Sequence, residues 1–336
     1  MSGFFYVCFC TFNPMNLLYN FAAHLTYALL TVYGLFHAKI GLFVKGRKET
    51  FEKLSVLQKN DKVIWVHAAS LGEFEQARPI IEAIKKSHPI YKIVVTFFSP
   101  SGYEIRRNYP LAEVVCYLPF DTKSGVQKFL KMTHPTLAII VKYEFWPNLL
   151  YALKAQEITT ILISGIFRNT QQFFKSIGGW IRKVLDSFDY FFLQDESSKK
   201  LLESIHLTNT SVSGDTRFDR VIRILEQDNS LPFIEEFKSK KYMVIAGSTW
   251  AEGEDILVPY INNSAGEKFV IVPHNMNAKA IAKLKESIEK KVVLFSEREG
   301  KILADFEVLI IDTIGLLTKI YSYADAVYVG GAFKTG

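Results

Sequence analysis

The sequence predicts an α/β protein made of two doubly wound, parallel-sheet halves in tandem, behind an apolar N-terminal segment. Three observations carry this. Short, nearly continuous apolar runs alternate with stretches of helical spacing, the pattern of parallel sheets covered on both faces. One polar stretch, Glu226–Pro232, interrupts the alternation, which then restarts. Residues 1–38 contain no Asp, Glu, Lys or Arg.

The apolar content stays high from Met15 to Val44, broken by Asn16, Asn20, His24 and Thr26, and Lys45, Arg47 and Lys48 follow. About 20 residues cross a hydrocarbon core, and a basic flank suits its cytoplasmic side. A cleaved signal peptide does not fit: the leading end carries no positive residue and the stretch is too long. A membrane-embedded anchor, spanning or interfacial, and a soluble helix that docks its apolar face both stay open. Residues 1–48 are assigned to this segment, with Met15 as an internal start and 1–14 as an upstream extension.

The first domain, 49–225, opens with strand Val63–Val66 and helix Glu73–Lys86. Strand Lys92–Phe98 and the turn Ser99–Gly102 follow, then strand Thr136–Val141 and a helix beginning at Trp146–Asn148. Strands Thr160–Ser164 and Tyr190–Leu193 continue the series. The second domain, 226–336, repeats the theme with strands Lys241–Ala246, Lys268–Pro273, Val308–Asp312 and Asp325–Gly331. A buried parallel strand is normally followed by its crossover helix. The chain stops five residues after Gly331, so this domain is expected to be truncated on its C-terminal side.

With 336 residues, 49% hydrophobic and 22% charged, the chain can bury two cores and is not disordered at large. Its net charge of +6 suits phosphates or an acidic membrane surface, and no motif points to nucleic acid. Cys8, Cys10 and Cys116 make no disulfide framework and fit a reducing compartment. No P-loop, GxGxxG, HExxH or Asp-x-Asp occurs, which disfavours metal-dependent sugar-nucleotide chemistry of the last type.

Candidate site residues gather where strands hand over to helices. Ala68–Gly72 (AASLG) resembles a serine nucleophile elbow with its first glycine replaced, but no triad partners announce themselves. Ser70 and Glu73 have capping-box spacing, and a carboxylate in a first helical turn also complements the dipole. If the turn lies at the C-terminal edge of a parallel sheet, Glu73 can instead take a proton from a substrate hydroxyl. Glu144 sits just past another strand, as a helix-start residue or a second site carboxylate. Arg217 lies between acids, as an ion-pair member or a phosphate ligand. His274 after Pro273 is a structural histidine or a ligand contact. Gly315 precedes a helix whose N–H groups could hold phosphate. Gly330 and Gly331 suit close packing.

Nine stretches in this order resemble one family, the 3-deoxy-D-manno-octulosonic acid (Kdo) transferases of lipopolysaccharide synthesis. They are WVHAASLGE, VVTFFSPSGYE, YLPFD, YEFWPNLL, GDTRFD, AGSTWAEGE, VPH, DTIGLL and YSYADAVYVGGAF, after the apolar segment with its basic flank. The resemblance implies a GT-B architecture, two Rossmann-like domains facing a cleft. The lipid A precursor would lie on the first domain and the donor CMP-Kdo on the second. It implies inverting transfer of Kdo to a sugar hydroxyl with no metal and no cofactor, at the cytoplasmic face of the inner membrane of a Gram-negative bacterium. Glu73 matches the family's catalytic base, in its Ser-x-Gly-Glu motif. Glu144 matches the acid of its Glu-Leu-Trp-Pro motif, and Arg217 stands where Lys is common. The donor contacts fall on Pro273, His274, Gly315, Leu316 and Leu317. The chain departs there, with Pro273-His274 for Pro-Arg and Gly315-Leu316-Leu317 for Gly-Glu-Leu. Lys142 replaces a common acid. The family's His-Asn-x-Leu-Glu motif falls beyond Gly336, so the 336-residue form is expected to be inactive or poorly folded in its second domain and the full gene product active. Another GT-B glycosyltransferase of surface glycans, or a non-catalytic lipid A-binding membrane protein, are the alternatives.

Overall fold

The apolar runs fold into two all-parallel sheets, and the chain divides into two compact units, Met1–Arg220 and Val221–Gly336. The computed structural model describes residues 14–175, 178–219, 222 and 228–331. Cys8, Cys10, the last five residues and part of the expected linker lie outside the described residues.

The first unit holds seven strands: β1 (Val63–Ala68), β2 (Lys92–Phe97), β3 (Val114–Tyr117), β4 (Pro135–Val141), β5 (Thr159–Gly165), β6 (Tyr190–Leu193) and β7 (Thr210–Val212). Their order is β3-β2-β1-β4-β5-β6-β7. From β1 the chain winds outward through β2 and β3, returns to β4 beside β1, and then winds the other way. The reversal sets the C-terminal ends of β1 and β4 side by side, at the switch point where open α/β sheets bind ligands. Every residue of β1 is buried. Ile64, Val66 and Ala68 pack with Phe74 and Phe97 on one face, and Val63 and Trp65 with Phe129 and Leu150 on the other. Strand alternation puts His67 on the Trp65 face, paired with Thr96 of β2 and Ile140 of β4.

The helices of this unit that matter for the site are α1 (Pro14–Tyr33), α2 (Ala38–Lys48), α3 (Thr50–Lys53), α4 (Leu71–Ser87), α5 (Pro100–Arg106), α6 (Lys123–Thr133) and α7 (Pro147–Ala155). The long apolar run is thus divided at residues 34–37. None of the described helices is long and apolar enough to cross a membrane.

Helix α1 is turned opposite to a soluble amphipathic helix. Asn16, Tyr19 and Asn20 face the protein, while His24 and Thr26 are exposed. Trp180 Nε1 donates to Asn16 Oδ1 (2.7 Å), Tyr19 OH to Asp121 Oδ2 (2.8 Å), and Asn148 Nδ2 to Asn20 Oδ1 (3.0 Å). Asp121 also accepts the Asn148 and Leu149 N–H groups that open α7. Leu17, Leu18, Phe21, Leu25, Leu29 and Val32 point outward and are 48–68% exposed.

The expected basic flank is only partly a surface. Lys45 and Lys48 are exposed, but Arg47 is buried. Its guanidinium lies 3.6 Å from the Phe43 ring centre and donates to the Phe43 and Phe98 carbonyls at 3.0 and 2.9 Å. Burial pulls its pKa down to about 9. Arg47 therefore fastens α2 to the loop after β2. Nearby, a Cβ on Gly46 would overlap the ring of Tyr117, which is 1% exposed. A Gly46→Ala change gains about 1 kcal/mol of helix propensity but overpacks a ring that has nowhere to move, at about 1–3 kcal/mol. The expected result is net destabilisation, read as a lower urea midpoint at unchanged m-value.

The second unit carries β8 (Met243–Thr249), β9 (Lys268–Pro273), β10 (Val292–Leu294), β11 (Val308–Ile310) and β12 (Ala326–Val329), ordered β10-β11-β9-β8-β12. Three strands escape the periodicity reading: β3, β7 and β10. Each has three or four residues and lies at a sheet edge.

Candidate active site

The first unit builds its site at the β1/β4 switch point. Ser70 stands at the N-cap of α4, and its N–H donates to Glu73 Oε2 at 3.1 Å, closing a capping box. The capping role of Glu73 is therefore real. Ser70 has an extended backbone, φ −136° and ψ 172°, where a nucleophile elbow needs a strained turn. The hydrolase expectation finds no geometry here. Burial raises the Glu73 pKa above the ordinary carboxyl value and the charge of Glu144 raises it further. The Ser70 and Ala69 N–H groups and His67 oppose this without cancelling it.

Glu144 is reached through a bend. Lys142, the first residue after β4, takes φ 62°, a left-handed conformation that non-glycine residues adopt at some cost. Its N–H still bonds the Ile163 carbonyl of β5 at 3.1 Å. The bend turns Glu144 back over the sheet end before Pro147 starts α7. There Glu144 Oε2 accepts from Trp146 Nε1 at 2.7 Å and meets His67 Nε2 at 3.2 Å. Burial alone would raise the Glu144 pKa; the His67 and Trp146 bonds outweigh it and hold the carboxyl below its ordinary value.

His67 is the residue that sequence reasoning passed over. It lies inside the first quoted motif, within an apolar strand, where a histidine reads as core. Its Nδ1 is 2.8 Å from Thr96 Oγ1 and 3.1 Å from the Thr96 carbonyl. Thr96 Oγ1 already accepts the Trp65 indole N–H at 2.8 Å, so its own proton is available to Nδ1. That leaves Nε2–H to donate to Glu144. The available signal was position: a polar ring one residue from the carboxyl end of the strand beside the switch.

Arg217 follows Gly214, which has φ 78°. The turn is tied to α4 three residues beyond Glu73: Gln76 Nε2 donates to Asp215 Oδ1 (2.9 Å), and Thr216 Oγ1 to the Gln76 carbonyl (2.8 Å). Arg217 is exposed, and its Nε donates to Asp215 Oδ2 at 2.8 Å. Burial works to raise the Asp215 pKa, but the Arg217, backbone and Gln76 bonds bring it down to about 2. The structure thus brings Glu73 and Glu144 together, fastens the Arg217 turn to the same helix, and pairs Arg217 with a neighbouring acid.

The sequence-derived donor residues lie in the second unit. Pro273 lines a cavity of about 260 Å³ beside Thr249, Trp250 and Glu254. The His274 ring stacks on Trp250 at 4.4 Å, and the His274 backbone N–H donates to the Thr249 carbonyl. Gly315 has φ 100°. Leu316 and Leu317 are half-buried against the core, and Leu317 packs where Gly247 of β8 leaves room. The helix after Gly315 is only Leu317–Ile320, one turn, so its dipole is small. Among the described residues no group of three or more His, Cys, Asp or Glu is placed to hold a metal ion.

The family model described as 3-deoxy-D-manno-octulosonic-acid transferase (kdotransferase) matches residues 45–220, more than half of the chain. The chain belongs to the Kdo transferase family. It is similar to the 3-deoxy-D-manno-octulosonic acid transferase of Rickettsia bellii, 25% identical over 86% of this chain and 70% of the relative. The transferase of Aquifex aeolicus is 26% identical over 85% of this chain and 74% of its own length. That of Rickettsia felis is covered over 60% of its length. Among solved structures, UDP-GlcNAc 2-epimerase from Neisseria meningitidis bound to UDP-GlcNAc shares the fold, with a TM-score of 0.54 and 17% identity over 80% of this chain and 77% of that one. Kdo transferases are glycosyltransferases, and the stretch matched by the model contains Glu73, Glu144, Arg217 and His67.

Proposed function

We propose that the full-length protein transfers Kdo from CMP-Kdo to a sugar hydroxyl of the lipid A precursor, lipid IVA. In this reading transfer inverts the anomeric carbon, needs no metal, and the two parallel-sheet units are the halves of a GT-B enzyme. The observation that carries the reading is the carboxyl pair at the β1/β4 switch point, with Glu73 raised and Glu144 lowered in pKa. Two carboxyls pushed apart divide base and stabilising roles between them. The acceptor hydroxyl oxygen attacks the anomeric carbon of Kdo and its proton passes to Glu73. The bond from that carbon to the CMP phosphate oxygen breaks, and CMP leaves with the electron pair. Glu144, held ionised by His67 and Trp146, stabilises positive charge developing on the sugar. Arg217 shares its charge between Asp215 and the leaving phosphate. Pro273, His274, Gly315, Leu316 and Leu317 hold the donor, with His274 supplying a flat ring where a fixed cation would otherwise stand.

The test is a transfer assay on the full-length protein with CMP-Kdo made in situ, tetraacyl lipid A precursor and EDTA. A Kdo-sized mass increase of the lipid is expected. No transfer by folded protein either with EDTA or with added divalent metal would discard the assignment, and transfer seen only with added divalent metal would discard metal independence.

The same reading assigns the outward apolar face of α1 to the cytoplasmic surface of the inner membrane, where the acceptor resides. An amphipathic helix lies in the interface with its apolar face down. A Leu18→Ser, Phe21→Ser double variant is expected to lower co-sedimentation with phosphatidylglycerol vesicles at least tenfold and leave the melting temperature unchanged. Those side chains contact solvent, not core. Unchanged sedimentation would remove α1 from the membrane contact.

A further inference from the structure

Helix α1 has a second use for its protein-facing side. It does not pack flush on the sheet end. Ala22, Ala23 and Leu30 form one wall of a cavity of about 240 Å³, and Phe98, Phe120 and Trp146 form the other. Its lining includes no Lys, Arg or His, and its one carboxylate, Asp121, is turned to Tyr19 and the α7 N–H groups. A phosphate or nucleotide would find no cation there. Trp146 links the cavity to the carboxyl pair: its ring lines the cavity and stacks on Phe98 at 5.0 Å, while its indole N–H holds Glu144. The cavity is smaller than the ~300–1,000 Å³ of a drug-sized ligand site, which suits part of an alkyl chain and not a disaccharide. The far face of the same helix is the exposed apolar surface already described.

We propose that this groove takes one acyl chain of the glycolipid acceptor and sets the acceptor sugar against Glu73 and Glu144. The proposal rests on the transfer reading above and adds to it a subsite that measures acylation. The occupant follows from the apolar, cation-free lining, from continuity with the carboxyl pair through Trp146, and from the helix that forms both the groove and the lipid-facing surface.

The experiment compares full-length wild type with Ala23→Trp, which fills the groove, on two acceptors in detergent micelles: the tetraacyl precursor and its fully deacylated disaccharide phosphate. Wild type is expected to prefer the acylated acceptor. Ala23→Trp is expected to lower kcat/KM for it at least tenfold, mainly through KM, and to leave the deacylated acceptor within twofold. Equal slowing on both acceptors, or none on either, overturns the subsite. A binding arm does not depend on catalysis: dodecanoic acid bearing a terminal diazirine is photolysed with wild type and the labelled peptides are identified. Label on the Phe98 or Trp146 peptides, competed by the tetraacyl precursor, supports the groove; label on 14–33 alone marks the outward face of α1 and overturns it. Label elsewhere, or none, overturns it even if Ala23→Trp fails to fold. Competed groove labelling in a wild type that transfers Kdo to neither acceptor would instead sink the transfer reading.

Discussion

Glu73→Gln is expected to reduce Kdo transfer by about 10²–10⁴-fold, the usual contribution of a positioned general base, without lowering the melting temperature. Two roles meet at this carboxyl, and the amide separates them. Glutamine at the third helical position still offers an oxygen to the Ser70 N–H, as a capping box requires. It cannot take a proton from a hydroxyl. The raised pKa sets the sign for stability. The fold disfavours the ionised form relative to the unfolded chain, so above the folded pKa the carboxylate lowers stability, and the cost disappears as the pH falls through that value. Removing the charge should therefore leave stability at neutral pH equal to or above wild type. For the active enzyme, kcat/KM should rise with pH as Glu73 ionises, with a midpoint above the ordinary glutamate value. Parallel calorimetry and single-turnover transfer decide the matter. An active Glu73→Gln enzyme would leave Glu73 as a cap alone.

Much of this arrangement could be read before any coordinates. Both carboxylates follow apolar runs that could only be buried parallel strands, and such strands bring their C-terminal ends to one edge. What could not be read was adjacency. Sequence order places β2 and β3 between β1 and β4, and only the reversal of winding makes Glu73 and Glu144 neighbours. His67 stayed hidden for a related reason. Its partners are Thr96 and Glu144, 29 and 77 residues away, so nothing local marks it as polar machinery. The apolar N-terminal run hid its attachment to the first unit. Its composition is that of an anchor, but the break at 34–37 and the inward bonds of Asn16, Tyr19 and Asn20 make α1 part of the first unit. Those residues looked like interruptions of an apolar stretch and are its points of attachment. Arg47 was likewise read as flank charge. An aromatic cage formed by Phe43, Phe98 and Phe120 cannot be seen in a chain that spreads those rings over 77 positions.

His67→Phe is the second large expected effect, and it tests whether the polarity of Glu144 is built by its neighbours. Phenylalanine keeps a ring in the fully buried position but has no N–H for Glu144. Trp146 remains as the carboxyl's donor. A buried acceptor that loses a hydrogen-bond partner costs about 1–3 kcal/mol, and the loss should appear as a lower urea midpoint at neutral pH. The pH dependence identifies the cause. In wild type the Glu144 pKa is lowered, so its stabilising contribution is present above the unfolded value and is lost as the pH falls through the folded value. In the variant, burial is no longer outweighed and the pKa should rise, so the same carboxyl now opposes folding when ionised. The gap between the two proteins should be largest near pH 7 and shrink as acid protonates Glu144. Transfer should fall as well, and by more at mildly acidic pH than at neutral pH, because the raised pKa of the variant protonates Glu144 where wild type still holds it ionised. A stability gap that is constant with pH would mean that His67 serves packing alone, and its bond to Glu144 would drop out of the mechanism.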